Sequence, residues 1–173
     1  MIQLILGGAR SGKSRLAEQY AIQSGLEVSY IATAQAHDDE MRDRIRHHQQ
    51  QRPSDWKVIE ESLNLAKTLL AIDHPQQLIL VDCLTLWMSN LLLLEDPSVQ
   101  VTQCQELLEV LPQLKAEIIL VSNETGLGVV PMGQLSRRFV DESGRLHQQL
   151  GQIADRVLFC IAGFPMTLKG EKE

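Results

Sequence analysis

The sequence predicts an α/β fold, a three-layer sandwich in which helices cover both faces of a mostly parallel sheet. Short apolar runs alternate along the chain with longer segments whose apolar residues recur at helical spacing. A glycine-rich loop lies between the first apolar run and the first helical segment. Polar residues follow several of the runs, and the carboxyl ends of parallel strands are where such sheets bind ligands.

The first half of the chain supplies three predicted strands and three predicted helices. The run 2–6 ends at two glycines, which is typical of a buried strand. Asp38 and Asp39 favour the start of a helix, which ends before Pro53, and Ser62 is predicted to begin the next helix. The predicted strands are 2–6, 27–33 and 57–60, and the predicted helices are 14–23, 38–51 and 62–72.

The second half of the chain continues the alternation. Its clearest buried strand is the run "QLILVD", and the segment "TGLGVVPMG" is predicted to be a loop rather than a domain boundary. Without repeats or a low-complexity linker, residues 1–173 are expected to form a single domain. The predicted strands are 77–82, 116–124 and 156–162, and the predicted helices are 84–94, 99–114 and 135–152.

Composition narrows the class of partner. The chain has 173 residues and a formal net charge of −6, without the clustered basic face expected of a nucleic-acid-binding protein. The N-terminal apolar run is unlike a signal peptide, and the longest apolar stretch is too short to span a bilayer. Cys83, Cys104 and Cys160 lack metal-ligand spacing and are expected to be reduced thiols. We therefore expect a cytoplasmic protein whose partners are small phosphate-bearing molecules, with no nucleic acid and no membrane.

The glycine-rich loop "GGARSGKS" matches the pattern G-x-x-x-x-G-K-[ST] in its required context between a strand and a helix. Its glycines let backbone N–H groups turn toward phosphate oxygens, and the N-terminus of the following helix adds partial positive charge. Lys13 is predicted to neutralise the β and γ phosphates and Ser14 to bind Mg²⁺. The expected fold class is therefore a P-loop NTPase of the RecA-like type. The loop residues are Gly7, Gly8, Ala9, Arg10, Ser11, Gly12, Lys13 and Ser14.

The acid that ends strand 77–82 is the second predicted magnesium ligand. Asp82 follows four apolar residues, the usual Walker B arrangement. The alternative role for Asp82 is to cap the helix that begins at Leu84, and both roles can hold together. The remaining polar residues expected at the same edge of the sheet are Thr33, Glu60, Asn123 and Glu124.

Two adjacent histidines lie in the predicted helix 38–51. At about 100° per residue, His48 shares the apolar stripe of Met41 and Ile45, so we expect it to be packed or hydrogen-bonded. His47 falls on a polar face, where it is either solvated or lines a cleft. A neutral imidazole is a competent nucleophile near its ordinary pKa of about 6.5. Its attack on a nucleotide α-phosphorus would give a nucleotidyl-histidine and release pyrophosphate.

These motifs together resemble a known family. The segments "ILGGARSGKSRLAE", "YIATAQAHDDEMRDRIRHHQQQRPSDWKVIE", "LVDCLTLWMSNLL", "LVSNETGLGVVP" and "RRFVDESGRLHQQL" look like the bifunctional adenosylcobinamide kinase/adenosylcobinamide-phosphate guanylyltransferase of cobalamin biosynthesis. The resemblance covers nearly the whole chain in order. The loop by itself is shared by many NTPases, whereas its combination with "DDEM", the paired histidines and "NETGLGVVP" is specific.

The resemblance implies two reactions in sequence. ATP or GTP phosphorylates the hydroxyl of the aminopropanol arm of adenosylcobinamide, and GTP then donates GMP to that phosphate through a histidine. The position of the family's nucleophile corresponds to His47, and family members tend to be homotrimers. Besides the phosphate loop, the implied nucleotide contacts are Ile31, Ala32, Thr33, His48, Gln49, Gln50, Gln51, Glu60 and Asp82.

One departure from the family and two alternatives accompany this interpretation. The late helix reads "GRLHQQLG", where relatives often have Asn at the position of His147, which puts in doubt an amide contact from this residue. The first alternative is a small-molecule P-loop kinase without nucleotidyl transfer. The second is a nucleotide-dependent switch or RecA-like ATPase, in which the paired histidines have no role.

Overall fold

The computed structural model describes residues 1–35 and 53–171 and contains seven strands and five α-helices in these ranges. The predicted helix 38–51 lies outside the described residues. The strands are β1 (Ile2–Gly7), β2 (Glu27–Ala32), β3 (Lys57–Glu60), β4 (Gln77–Asp82), β5 (Glu117–Asn123), β6 (Arg156–Ile161) and β7 (Phe164–Lys169). The helices are α1 (Lys13–Gln23), α2 (Leu65–Ile72), α3 (Leu84–Leu92), α4 (Pro97–Val110) and α5 (Gln134–Ile153), and a 3₁₀ turn follows α4 at Leu111–Gln113.

The described strands form one twisted sheet in the order β3-β2-β4-β5-β1-β6-β7. Strands β1 to β6 pair in parallel, and β7 pairs with β6 in antiparallel orientation. The predicted mostly parallel sheet is therefore confirmed. Strand β5 lies between β1, which leads into the phosphate loop, and β4, which ends at Asp82.

Helices cover both faces of the sheet, as predicted. On one face, α2, α3, α4 and α5 pack with alternate strand residues into a core that includes Leu4, Ile79, Trp87, Leu120 and Leu150. On the other face, α1 contributes Ala17 and Ala21 to a second core with the intervening strand residues, among them Ile5, Leu80 and Val121. Each central strand is therefore apolar on both sides, which explains why its sequence is a continuous apolar run.

The sequence did not predict strand β7. We expected the last strand to be 156–162, whereas β6 ends at Ile161 and the chain turns back through Ala162 and Gly163 into β7. Gly163 has φ +85°, a left-handed conformation that glycine adopts without steric cost. Because β7 is an edge strand, it tolerates Pro165, whose missing N–H weakens a strand signal in the sequence.

Two helix starts also differ from prediction. Helix α2 begins at Leu65 rather than after Ser62, because the Glu61 carboxylate accepts the N–H groups of Leu63 and Asn64 at 2.8 and 2.7 Å and closes a turn there. Helix α4 begins at Pro97 rather than 99, since the Asp96 side chain caps it by accepting the Ser98 N–H at 2.8 Å. The ends of the other predicted elements in the described part of the chain agree within two residues.

Candidate nucleotide site at the carboxyl edge of the sheet

The polar residues expected to converge do lie along one edge of the sheet. Register pairs Ala32 with Asp82 across β2 and β4, and Ala32 with Glu60 across β2 and β3. Further along the same edge, Gly7 is the partner of Asn123. The described residues of the predicted site therefore lie at or just after the carboxyl ends of these strands. The exceptions are the loop residues that continue into α1.

The phosphate loop leaves β1 and enters α1 through two left-handed residues. Gly12 has φ +94° and is the N-cap of α1, and Arg10 has φ +55°. The Lys13 side chain is only 8% exposed, and its Nζ donates a hydrogen bond to the Gly8 carbonyl oxygen at 3.1 Å. The ammonium therefore folds back over the loop, and the loop backbone and this cation together are suited to bind phosphate oxygens.

Close packing explains the glycine at the start of the loop. A Cβ at Gly7 would lie 2.5 Å from Ser11 Oγ and 2.7 Å from the Cys160 carbonyl oxygen, distances that force the backbone to move. Ser11 Oγ is buried and has no hydrogen-bond partner within the described residues. The loop is thus held against β6 as well as against its own strand.

The β6–β7 turn supports the phosphate loop through a contact that no sequence pattern predicted. Gly163 N–H donates to the Ser11 carbonyl oxygen at 2.9 Å, and a Cβ at Gly12 would lie 3.1 Å from Gly163 Cα. The signal that could have found the turn is the pair Ala162-Gly163 between two apolar runs, a short hairpin signature.

Thr33 holds the strand end next to Asp82. Its side chain is fully buried. Thr33 Oγ1 donates a hydrogen bond to the Cys83 carbonyl oxygen at 2.7 Å and accepts one from the Cys83 N–H at 2.9 Å. Asn90 Nδ2 donates to the Thr33 carbonyl oxygen at 2.9 Å. The predicted nucleotide residue Thr33 thus uses its side chain to fix the backbone between β4 and α3. Ile31 is buried and Ala32 is half-buried in β2.

Asp82 and Ser14 are both half-buried, Asp82 at the end of β4 and Ser14 in the first turn of α1. One carboxylate and one hydroxyl suit Mg²⁺, which usually completes its octahedron with phosphate oxygens and water rather than with an all-protein cage. No cluster of three acidic, His or Cys residues suited to a metal occurs within residues 1–35 and 53–171. Cys83, not Asp82, is the N-cap residue of α3, so the alternative capping role for Asp82 is not observed.

The surroundings of Cys83 and Cys160 favour the neutral thiol over the thiolate. Burial and, secondarily, the neighbouring Asp82 carboxylate raise the pKa of Cys83 to about 11. Burial also raises the pKa of Cys160, against a smaller opposing effect of the Lys13 charge. All three cysteines are free thiols, as the sequence predicted.

The remaining predicted site residues lie far from the phosphate loop or outside the described residues. Glu60 is exposed at the end of β3, four strand spacings of about 4.8 Å from β1, and therefore about 19 Å away. This distance excludes a direct contact of Glu60 with phosphates bound at Lys13. The predicted nucleophile His47 and the predicted contacts His48, Gln49, Gln50 and Gln51 lie outside the described residues.

A buried polar network lies beside the phosphate loop on the α5 side of the sheet. His147 Nε2 is 2.8 Å from Ser122 Oγ, and Ser122 Oγ is 3.3 Å from Thr85 Oγ1. His147 Nδ1 lies 3.6 Å from a carboxylate oxygen of Glu124, whose own N–H donates to the Gly7 carbonyl oxygen at 3.0 Å. Burial lowers the pKa of His147, and the Glu124 carboxylate partly offsets this effect. The sequence showed that His147 stands where relatives often have Asn, but it did not predict which residues His147 contacts.

Comparisons with known proteins agree with this geometry. Residues 3–168 match the family described as cobinamide kinase / cobinamide phosphate guanyltransferase. The chain is 59% identical over 171 residues to the bifunctional adenosylcobalamin biosynthesis protein CobP of Pseudomonas aeruginosa, covering 99% of both chains. It is 38% identical to the bifunctional adenosylcobalamin biosynthesis protein CobU of Escherichia coli, covering 98% of this chain and all of the relative.

Solved structures share the fold at low sequence identity. A KaiC-like protein from Pyrococcus horikoshii superposes with a TM-score of 0.51 at 14% identity over 91% of this chain and 69% of its own. The RadB recombinase superposes with a TM-score of 0.51 at 16% identity over 91% of this chain and 73% of its own. These neighbours confirm the predicted α/β fold of the RecA-like type. With the family match across almost its entire length, the chain belongs to the cobinamide kinase / cobinamide phosphate guanyltransferase family.

Proposed function

We propose that this enzyme phosphorylates adenosylcobinamide with ATP or GTP and then transfers GMP from GTP to adenosylcobinamide phosphate, using one nucleotide site for both steps. The observation that carries the proposal is the phosphate loop with Lys13 folded over it, in a chain that matches the family from residue 3 to residue 168. The relatives named above are bifunctional proteins of adenosylcobalamin biosynthesis.

In the kinase step, the hydroxyl oxygen of the aminopropanol arm forms a bond to the γ-phosphorus, and the bond from that phosphorus to the bridging oxygen breaks. The hydroxyl proton is released and a nucleoside diphosphate leaves. The role of Lys13 and the loop N–H groups is to bind the phosphates and to stabilise the negative charge that develops on them. This step requires no imidazole.

In the guanylyl step, an imidazole nitrogen of His47 forms a bond to the α-phosphorus of GTP, and pyrophosphate leaves. A phosphate oxygen of adenosylcobinamide phosphate then attacks the same phosphorus and breaks the P–N bond, which gives adenosylcobinamide-GDP and restores His47. The covalent intermediate divides one difficult transfer into two easier ones.

Mg²⁺ is the proposed cofactor, with Ser14 and Asp82 as its protein ligands. When bound, it supplies positive charge to the phosphates of the nucleotide. The half-buried position of Asp82, held next to the Thr33–Cys83 contacts, supports this assignment because it keeps one carboxylate at a fixed place on the sheet edge.

The guanylyl-histidine is tested by the mass of the intact protein after mixing with GTP and Mg²⁺. We expect a gain of one GMP that is labile in acid, stable in base and located at His47 by peptide mapping. His47→Ala should lose the adduct and the formation of adenosylcobinamide-GDP while still phosphorylating adenosylcobinamide. The matched control His48→Ala should keep the adduct. GMP labelling that persists in His47→Ala and disappears in His48→Ala would overturn the assignment to His47. A wild-type protein that phosphorylates adenosylcobinamide but forms no GMP adduct would favour the alternative of a kinase without nucleotidyl transfer.

We propose a cytoplasmic homotrimer as the working form, with no role for nucleic acid. A second copy would cover apolar side chains that are exposed on β7 and the residue that precedes its turn, namely Ile161, Phe164, Met166 and Leu168. Within the described part of the chain, no helix has the length and apolar character needed to cross a membrane. Native mass spectrometry tests the oligomeric state. We expect a trimer for the wild type and a smaller trimeric fraction for Phe164→Ser, and a wild-type monomer or dimer would refute the proposed homotrimer.

A further inference from the structure

We propose that His147 is a positioning residue of the nucleotide site: its buried Nδ1–H, which has no hydrogen-bond partner within the described residues, attracts the Glu124 carboxylate 3.6 Å away and keeps it on the α5 face of the sheet, away from the phosphates bound at Gly7–Ser14. The inference rests on the proposed nucleotide site. It assigns a role to a buried histidine and an acid that take no part in the two reactions described above.

Strand alternation places Glu124 on the face opposite α1. Ile118 and Leu120 of β5 belong to the core with α5, whereas Ile119 and Val121 belong to the core with α1. Ser122 continues the first set and contacts His147 of α5 at 2.8 Å. Glu124 follows in the same alternation, and its carboxylate lies 3.6 Å from His147 Nδ1. The phosphate loop, in contrast, leads into α1 on the other face.

The Glu124 carboxylate beside Nδ1 favours one tautomer of His147, and the hydroxyl network is compatible with it. Asn123 N–H donates to Thr85 Oγ1 at 2.6 Å, the Thr85 hydroxyl can donate to Ser122 Oγ, and the Ser122 hydroxyl can donate to Nε2. Nε2 is then the acceptor and Nδ1 carries the hydrogen. The reverse orientation would point the lone pair of Nδ1 at a carboxylate, which is repulsive.

The Glu124 carboxylate would repel bound phosphates if it lost its contact with His147. The Glu124 N–H is bonded to the Gly7 carbonyl oxygen at 3.0 Å, so the backbone of this residue is fixed to the first residue of the phosphate loop. Its side chain is 21% exposed; one carboxylate oxygen accepts the Gly126 N–H, and the other lies 3.6 Å from His147 Nδ1, beyond hydrogen-bond distance. A carboxylate that turns toward a site for several negative charges weakens anion binding, because the Coulomb repulsion grows as the charges approach.

The contacts of the His147 ring among the described residues are one neutral hydroxyl, that of Ser122, and one carboxylate, that of Glu124. Helix α3 presents the Thr85 hydroxyl and β5 presents the Ser122 hydroxyl, and Glu124 is the charged residue that acts on the ring among the described residues. The side chain is 8% exposed. Burial lowers its pKa, so the ring is neutral at neutral pH and the contact with Glu124 depends on the tautomer rather than on a positive charge.

Two substitutions of similar polarity separate the contacts of His147. An Asn amide replaces the Nδ1 position and keeps a donor toward Glu124, whereas a Gln amide reaches the Nε2 position and keeps only the Ser122 contact. The binding of GDP with Mg²⁺ by titration calorimetry measures the effect on phosphates without turnover. We expect His147→Asn to bind close to wild type and His147→Gln to bind about threefold to tenfold more weakly.

Removing the charge of Glu124 should restore binding. In the double variant His147→Gln/Glu124→Gln, GDP affinity should return close to the wild-type value, and the defect of His147→Gln should shrink in high salt because screening weakens the repulsion. Equal weakening in His147→Asn and His147→Gln, or no recovery in the double variant, would refute the proposal.

The tautomer provides a test that needs no nucleotide and uses a variant only to assign the His147 signal. In ¹⁵N-histidine-labelled wild-type protein, His147, assigned by its absence in His147→Asn, should show a protonated Nδ1 and a free Nε2 at neutral pH. A protonated Nε2 would overturn the inference even if nucleotide binds as expected. A correct tautomer in a protein that fails to bind GDP would instead contradict the proposed function.

Discussion

Replacing Thr33 by Val tests how the sheet edge beside Asp82 is held. The exchange removes one hydroxyl and puts a methyl group of similar size in its place, so it opens no cavity. The hydroxyl accepts the Cys83 N–H at 2.9 Å and donates to the Cys83 carbonyl oxygen at 2.7 Å, and the side chain is fully buried. The perturbation is therefore confined to two backbone groups of one residue.

The two backbone groups contribute unequally to the expected loss. The Cys83 carbonyl keeps a hydrogen bond from the Trp87 N–H at 3.2 Å, so it loses one of two partners, roughly 0.5–1.5 kcal/mol. The Cys83 N–H is left without its partner in a buried site, at a cost of about 1–3 kcal/mol. We expect the free energy of unfolding of Thr33→Val to fall by about 1.5–4.5 kcal/mol.

Equilibrium unfolding in urea measures this change, and Thr33→Ser is the matched control. The serine keeps the hydroxyl and removes one buried methyl group, for which we expect a loss of about 1 kcal/mol. Because Cys83 follows Asp82, Thr33→Val should also raise the Mg²⁺ concentration needed for half-maximal kinase activity. The reasoning is wrong if Thr33→Ser destabilises the protein more than Thr33→Val does.

Three further predictions concern the site and its surroundings. Lys13→Ala should lower both activities by roughly 10²–10³ with an unchanged far-UV spectrum, because the ammonium acts on phosphates and is not part of the core; near-normal kinase turnover would contradict this. Asp82→Asn should raise the half-saturating Mg²⁺ concentration in an activity titration. The free energy of unfolding, measured by thermal denaturation, should change by about 1 kcal/mol or less, since Cys83 rather than Asp82 is the N-cap of α3. Because burial lowers the folded-state pKa of His147 below its unfolded value, unfolding takes up a proton at low pH. The free energy of unfolding should therefore fall as the pH drops below about 6.5, and less so in His147→Asn, which pH-dependent urea titrations measure.

The sequence predicted the central sheet well because buried parallel strands leave a strong signal. The run 77–82 was recovered with the bounds of β4, since apolar residues on both faces of a strand leave little alternative. Strand β7 escaped prediction because an edge strand needs no continuous apolar run. The start of α2 was predicted too early because the Glu61 carboxylate, which lies outside the helix, accepts the backbone N–H groups of Leu63 and Asn64 near the position where Ser62 was expected to begin the helix.

The candidate site was predictable where one segment supplies its chemistry and unpredictable where distant segments meet. Residues 7–14 form a recognisable motif, and their strand–loop–helix context is confirmed. The contact of His147 with Ser122 joins residues 25 positions apart, and the contact of Gly163 with Ser11 joins the two ends of the chain. Neither pair carries a local pattern, because strand order rather than sequence spacing brings them together.

Helix α3 shows how such tertiary contacts can nevertheless be anticipated. Its sequence "LTLWMSNLL" is apolar apart from Thr85, Ser89 and Asn90, and a buried polar side chain is unfavourable unless it is hydrogen-bonded. Thr85 accepts the Asn123 N–H at the end of β5, and Asn90 donates to the carbonyl oxygens of Thr33 and Ser62 at 2.9 and 3.2 Å. These bonds attach three segments that leave the carboxyl edge of the sheet to one rigid helix. Thr85 and Asn90 therefore mark segments that α3 holds in place at the sheet edge, whereas Ser89 Oγ donates within the helix to the Thr85 carbonyl oxygen at 3.0 Å and marks none.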